Sequence, residues 1–131
     1  MRVCCLCKSE SESHDHLFFK CQFSNDIWKS LLPMMNCIVQ NEEWNSIITY
    51  IAAMGCTNNI WSVIRRLCLG AMVYFIWQER NFRTFRDETR DSKTVCRIIC
   101  ESVRMKIMSL KVKKSNEVMS AASIWNVKLD D

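Results

Sequence analysis

Apolar positions recur at helical spacing through most of this chain, and the pattern predicts an all-α fold. The clearest stripe is Ile60, Trp61, Ile64, Leu67, Cys68, Ala71, Met72 and Phe75, the i, i+3, i+4, i+7 rhythm of a buried helix face. Leu69, Val73 and Ile76 fill the other side, so its middle is expected to be buried all round. This helix, near residues 58–86, is the expected centre of the fold. Val95, Ile99, Val103, Ile107 and Leu110 line the inner face of a further helix from about Asp91 to Lys111. Trp44, Ile47, Ile48 and Ile51 predict an earlier one, opened by Asn41 with Glu42 and Glu43 in its first turn and stopped by Gly55. A short helix precedes it, with Ile27, Trp28, Leu31 and Leu32 on one face. Ser24 reads as its N-cap, Asp26 as first-turn charge, Phe23 and Trp28 as a hydrophobic staple, and Pro33 as its end or kink. The signal at 117–125 is weak. The expected layout is one domain: a zinc knuckle over 1–23, a helical body of about four helices over 24–114, and a loose tail over 115–131.

Composition supports this outline. The 131 residues include 49% hydrophobic and 24% charged positions but only 2 Gly and 1 Pro, enough apolar surface for a core and little turn chemistry. The longest apolar run, Leu67 to Trp77, is short of the about 20 residues of a membrane span, so no membrane partner is expected. Nothing at the N-terminus resembles a signal peptide. An odd cysteine count, 9, fits reduced thiols in the nucleus or cytoplasm rather than a secreted disulfide scaffold. Residues 58–131 hold 14 Lys/Arg against 8 Asp/Glu, whereas residues 1–57 hold 4 against 6.

The chemistry is concentrated near the start. Cys4-x2-Cys7 is followed by His16 and then Cys21. Three thiolates and an imidazole suit a four-coordinate Zn2+ site. Cys5 in place of Cys4, and His14 in place of His16, are the open alternatives. Cys4 keeps two residues before Cys7. His16 is followed at once by Leu17, Phe18 and Phe19, which can wall an ion from water. Four protein ligands leave no position for water, so the zinc is expected to be structural. For Phe18, Phe19 and Trp28, core packing is preferred to base stacking. Lys8 to Ser13 is polar and acidic, unlike the helix that follows a redox Cys-x-x-Cys. There is no Gly-rich phosphate loop and no carboxylate pair in an apolar strand, and Glu42-Glu43 reads as helix-start charge. No enzyme activity is expected.

At these residues a family resemblance emerges. Cys-x-Leu-Cys, Glu12-Ser13, then His14-Asp15-His16-Leu17-Phe18-Phe19-x-Cys21-x-Phe23-Ser24 and Ile27-Trp28 resembles the zinc-binding domain downstream of reverse transcriptase in plant non-LTR (LINE-type) retroelements. Tyr74-Phe75-Ile76-Trp77-Gln78-Glu79-Arg80-Asn81, with Arg83 and Phe85, is similar to a Trp-x-Glu-Arg-Asn segment near the end of the same reading frames. The resemblance spans roughly residues 4–110 and supports the set Cys4, Cys7, His16 and Cys21. The family's aromatic, Trp-rich segment before the first cysteine has no counterpart ahead of Cys4, which suggests a truncated module. By this resemblance the chain is a non-catalytic module that assists RNA or DNA binding beside a reverse transcriptase. The basic candidates are Arg80, Arg83, Arg86, Arg97, Arg104, Lys111, Lys113 and Lys114, with Phe82 or Phe85 stacking on a base. The alternative is a structural remnant of a retroelement without autonomous activity. Its zinc would then be purely architectural, its basic stripe a solvated face with Arg97 paired to Glu101, and its truncated surface prone to self-association. Whether Glu79 and Arg80 pair within the fold is open in the sequence.

Overall fold

The computed structural model describes residues 3–13, 16–36, 59–113 and 115–128, the side chain of Phe19 apart. The helix expected from Asn41 to Gly55, together with His14, Asp15 and Lys114, lies outside the described residues. Among the described residues there is no β-strand; a single antiparallel bridge joins Val3 to Ser11. Four α-helices are present among the described residues: α1 (Gln22–Leu31), α2 (Ile60–Asn81), α3 (Ser92–Met108) and α4 (Asn116–Trp125). The all-α expectation and the central place of the helix near 58–86 agree with this arrangement.

α2 is the spine. Asn59 caps it, its side chain accepting from the Trp61 N–H at 2.8 Å, which satisfies one of the donors that a helix start leaves open. Ile60, Trp61, Ile64, Cys68, Ala71, Met72 and Ile76 are buried. They face α1, α3 and α4, with α3 forming the most extensive contact. The helix is not buried all round: Arg66, Gly70, Tyr74 and Trp77 are exposed along one side. The apolar residues on that side are too few to demand a further layer. The helical stretch Ile60–Arg86 is long and apolar enough, by length and composition, to cross a membrane, and its apolar segment of 18 residues is half buried inside the fold, as in the core helix of a packed bundle.

α3 follows its predicted pattern closely. Asp91 caps it by accepting from the Thr94 N–H at 2.8 Å, and Val95, Ile99, Val103 and Ile107 are fully buried. Four such side chains each contribute about 1.5–3 kcal/mol of burial, so this face alone fixes how α3 lies on α2.

Two expectations are corrected. Ser24 is not the cap of α1. The helix begins at Gln22 with Cys21 in the cap position, and the buried Ser24 hydroxyl instead donates to the Leu17 carbonyl. With Ser24 inside the helix, Phe23 is not an N-prime residue either, and the staple does not form as expected. Residues 116–125, expected to be a loose tail, form α4. Ser115 caps it through the Val118 N–H at 3.2 Å. Val118, Ala121 and Trp125 are buried, and the Trp125 indole N–H donates to the Met34 carbonyl at 2.8 Å. Three buried residues and long-range bonds such as this one dock a helix whose local signal is weak. Pro33 ends α1 as predicted: the helix stops at Leu31, and Pro33–Met35 form a 3-10 turn. The buried Arg65 holds that turn, donating to the Met35 and Asn36 carbonyls at 3.1 and 2.8 Å.

Candidate metal centre

The chain from Val3 to Ser11 folds back on itself. The Cys4 N–H donates to the Glu10 carbonyl and the Lys8 N–H to the Cys4 carbonyl, both at 2.8 Å. Lys8 takes a left-handed conformation, with φ of 60°, which turns the loop tightly after Cys7. Cys4 and Cys7 therefore face one point. Cys5, between them, turns the other way, its sulfur 3.7 Å from the Arg80 carbonyl oxygen. Of the two register alternatives for the first position, the fold selects Cys4.

The other two donors stand at the two ends of a single π-helical turn, His16–Lys20, with His16 opening it and Cys21 following it directly. Its wide ring is closed by the Cys21 N–H donating to the His16 carbonyl at 2.6 Å. Ser13 starts the turn by accepting from the His16 N–H at 3.1 Å. The extra residue of a π turn rotates the chain relative to an α-helix. That rotation lets His16 and Cys21, five apart, point to the same side.

The donor atoms of Cys4, Cys7, His16 and Cys21 all lie within 4.8 Å of one another. The Cys4 and Cys21 sulfurs are 3.9 Å apart, and His16 Nε2 is 3.2 Å from the Cys7 sulfur. A tetrahedral ion with bonds of about 2.3 Å to sulfur and about 2.05 Å to nitrogen holds two sulfurs about 3.8 Å apart, and sulfur and nitrogen about 3.6 Å apart. The cluster is thus of the right size for one metal ion. A disulfide is a different matter: Cys4 and Cys21 are free thiols, separated by well over the roughly 2.05 Å of an S–S bond.

Burial and charge support the same group. Cys4, His16 and Cys21 are buried, as are their chain neighbours Leu6, Leu17 and Phe18. His16 Nδ1 makes no hydrogen bond but faces a Glu10 carboxylate oxygen at 3.3 Å. A carboxylate behind the ring is the usual orienting partner of a ligating histidine. Without an ion the three thiols are unequal. Burial pushes Cys21 up to about 12, helped by the nearby Cys4 and Cys7 sulfurs and opposed by the Phe23 backbone. Burial likewise raises Cys4 against backbone hydrogen bonds from Cys7 and Leu6. At Cys7 burial acts upward, but the Ser9 side chain and backbone, His16 and the Glu10 backbone bring it down to about 6. A cation at the centre removes the mutual repulsion, so that all three can serve as thiolates.

The centre is clamped to the end of α2. Glu12 pairs with Arg80, whose guanidinium also lies 4.7 Å from the Trp77 ring centre. Arg83 donates to the Leu6 carbonyl at 3.3 Å, the Arg90 carbonyl at 2.9 Å and Glu79 at 2.7 Å. Glu79 is fully buried and also accepts from the Arg90 N–H and Nε, both at 2.9 Å. The question of Glu79 and Arg80 is answered: each pairs, but with other partners.

Of the seven basic candidates among the described residues, two are turned into the fold. Arg80 is buried and Arg83 half-buried, both committed to the clamp. Arg86 is exposed and lies over the Phe82 ring at 4.7 Å. Arg97 is exposed on α3. Arg104, two turns farther along, donates to the Asn126 carbonyl at 2.9 Å and lies 3.9 Å from Glu101. Lys111 and Lys113 are exposed beyond the end of α3. Sequence reasoning missed Arg65 and Arg90 as structural residues, because Arg65 binds backbone carbonyls 29 and 30 positions away and Arg90 reaches Glu79 across the turn between α2 and α3, outside any helical spacing. Phe18 and Trp28 are buried core residues, as expected.

Set against models of known families, characterised proteins and solved structures, the chain matches none.

Proposed function

We propose that this chain is a non-catalytic zinc module of the kind found downstream of reverse transcriptase in plant non-LTR retroelements. One structural Zn2+ is held by Cys4, Cys7, His16 and Cys21. The observation that carries this reading is the convergence of three sulfurs and one imidazole nitrogen from two separate chain segments onto one buried point. A set rich in sulfur, with one nitrogen, favours zinc over hard cations. Four protein donors leave no coordination position for a reacting water, so the ion organises rather than catalyses. A reduced compartment, nucleus or cytoplasm, keeps the thiols available.

The test is the metal content of the purified chain, with helicity followed before and after chelation. One zinc per chain and a loss of helicity on chelation are expected. A metal-free chain whose helicity chelators leave unchanged would overturn the proposal.

The module's role is to help a polymerase partner hold RNA or DNA through its exposed cations, Arg86, Arg97, Lys111 and Lys113 among them, with Phe85, 75% exposed, able to stack on a base. Such binding weakens between low and moderate salt as counterions are released. A second reading, a remnant in which the zinc is purely architectural, is favoured by one observation: Arg80 and Arg83 spend their charges inside the fold. Oligonucleotide affinity that is measurable and salt-dependent selects the first reading, and none at low salt selects the second.

A further inference from the structure

The open side of α2 does not end with the helix. A π-helical turn, Phe82–Arg86, continues it. Tyr74, Gln78, Asn81 and Phe85 stand in one row at i, i+4, i+7 and i+11, the spacing of neighbours on a helix face. With Trp77 and Arg86 they line a cleft of about 310 Å³. Tyr74, Trp77 and Phe85 are 61%, 45% and 75% exposed. Single exposed apolar residues are ordinary, whereas three large rings in one strip mark a contact surface. Trp77 is also the wall of a second cleft, about 390 Å³, that includes Glu12, Leu17 and Arg80. The Arg80 guanidinium, 4.7 Å from the Trp77 ring centre, belongs to that second side and does not fill the first.

The polar groups of the first cleft are set to donate. Gln78 Oε1 accepts from Arg90 Nη2 and Asn81 Oδ1 from Arg80 Nη1, both at 3.1 Å. Each amide spends its oxygen on the fold and keeps its NH2 end for the cleft. The Arg86 guanidinium is exposed, 4.7 Å from the Phe82 ring centre, and pairs with no carboxylate among the described residues. No carboxylate lines the cleft. The exposed Asp87 and Glu88 come directly after Arg86 in the chain, so charge alone does not make a strong anion site here, and the rings must supply the rest. We infer that this cleft seats a short run of unstacked nucleotides of a single strand. A base lies against Phe85 or Trp77, the Gln78 and Asn81 NH2 groups donate to its carbonyl oxygens, and Arg86 meets the adjoining phosphate. The inference rests on the nucleic-acid role proposed above and gives that role a place on the molecule. Stacking accepts any base, since each has a π-face, while amide donors favour the carbonyl-bearing edges of thymine, uracil and guanine. A paired duplex hides its base faces, so the cleft takes single strands. An apolar helix laid on the strip would bury the Arg86 charge and two amide NH2 groups without acceptors, which is costly.

The experiment titrates the full chain, purified with zinc present, into a labelled oligothymidylate of about ten nucleotides and follows fluorescence anisotropy. Inorganic polyphosphate, measured by calorimetry, serves as a polyanion without bases. Phe85→Ala should weaken oligothymidylate binding about 5-fold or more, the lower bound for one stacked base, and leave polyphosphate binding at the parent level. Arg86→Gln should weaken both and lower the salt slope for the oligonucleotide by about 0.7. Met119→Ala, at an exposed position on α4, should change neither. All three side chains are exposed, so helicity should stay at the parent level throughout. Oligonucleotide binding that Phe85→Ala and Arg86→Gln leave unchanged would overturn the cleft while the nucleic-acid role stands. No binding by the parent at low salt would overturn both. A parent dimer that Phe85→Ala turns into a monomer, at unchanged oligonucleotide affinity, would give the strip to a second copy of the chain and overturn the inference.

Discussion

Ser24 shows how a single hydroxyl can be read correctly as polar and wrongly as to its work. In sequence it stands where a cap belongs; in the fold it is buried and ties α1 back to the π-helical turn through the Leu17 carbonyl. Ser24→Ala leaves that carbonyl without its partner, at a cost of about 1–3 kcal/mol. A lowered urea midpoint with an unchanged slope is the expected readout. The metal donors, by contrast, were legible one residue at a time. Their spacing and chemistry are local, and the structure brings together the four residues that the spacing favours. Arg80 and Arg83 were not legible. They sit among aromatics in a basic stretch and resemble phosphate contacts, yet their partners, Glu12 and the Leu6 carbonyl, lie 68 and 77 positions away. No local pattern encodes a partner at that distance.

At the scale of the helix, periodicity was a dependable guide where one face is apolar and the other is not. α3 obeys it: of the five residues predicted to face inward, Val95, Ile99, Val103 and Ile107 are fully buried, and Leu110, past the helix end, is half-buried. α4 escaped because its buried residues, Val118, Ala121 and Trp125, are few and separated by Ser and Met. Its position is set by tertiary contacts, including Asn59 Nδ2 donating to Glu117 at 2.6 Å. α2 was over-read as buried on all sides. Its open side includes Gly70, around whose Cβ position there is nothing within 4 Å. A glycine inside a helix costs about 1 kcal/mol relative to alanine. Gly70→Ala should therefore stabilise the fold by about that amount, seen as a higher thermal midpoint. A lower midpoint would mean that this side of α2 is covered in solution.

For the whole molecule, the joint around Glu79 binds the knuckle, α2 and the start of α3 into one body. Burial works to raise the Glu79 carboxyl, but the Arg90 N–H and the Arg83 and Arg90 side chains outweigh it and hold the group below its ordinary value of 4.5. A depressed folded-state value means stability that is present above the unfolded-state value and lost as pH falls through the folded one. The chain should therefore lose stability in acid below about pH 4.3. Glu79→Gln should flatten that part of the pH profile. It should also cost about 1–3 kcal/mol at neutral pH, because two partly buried guanidinium partners lose their countercharge. Equal acid sensitivity in parent and variant would assign the transition to other carboxylates. The same joint sets the order of assembly. The knuckle's clamp is made of residues some seventy positions downstream, so during synthesis the cysteines emerge long before anything can hold their loop. Closing so large a loop is entropically slow. The nascent chain therefore carries its thiols without the clamp until the hairpin of α2 and α3 has formed, and a metal captured early at the proposed site would shield them in that interval.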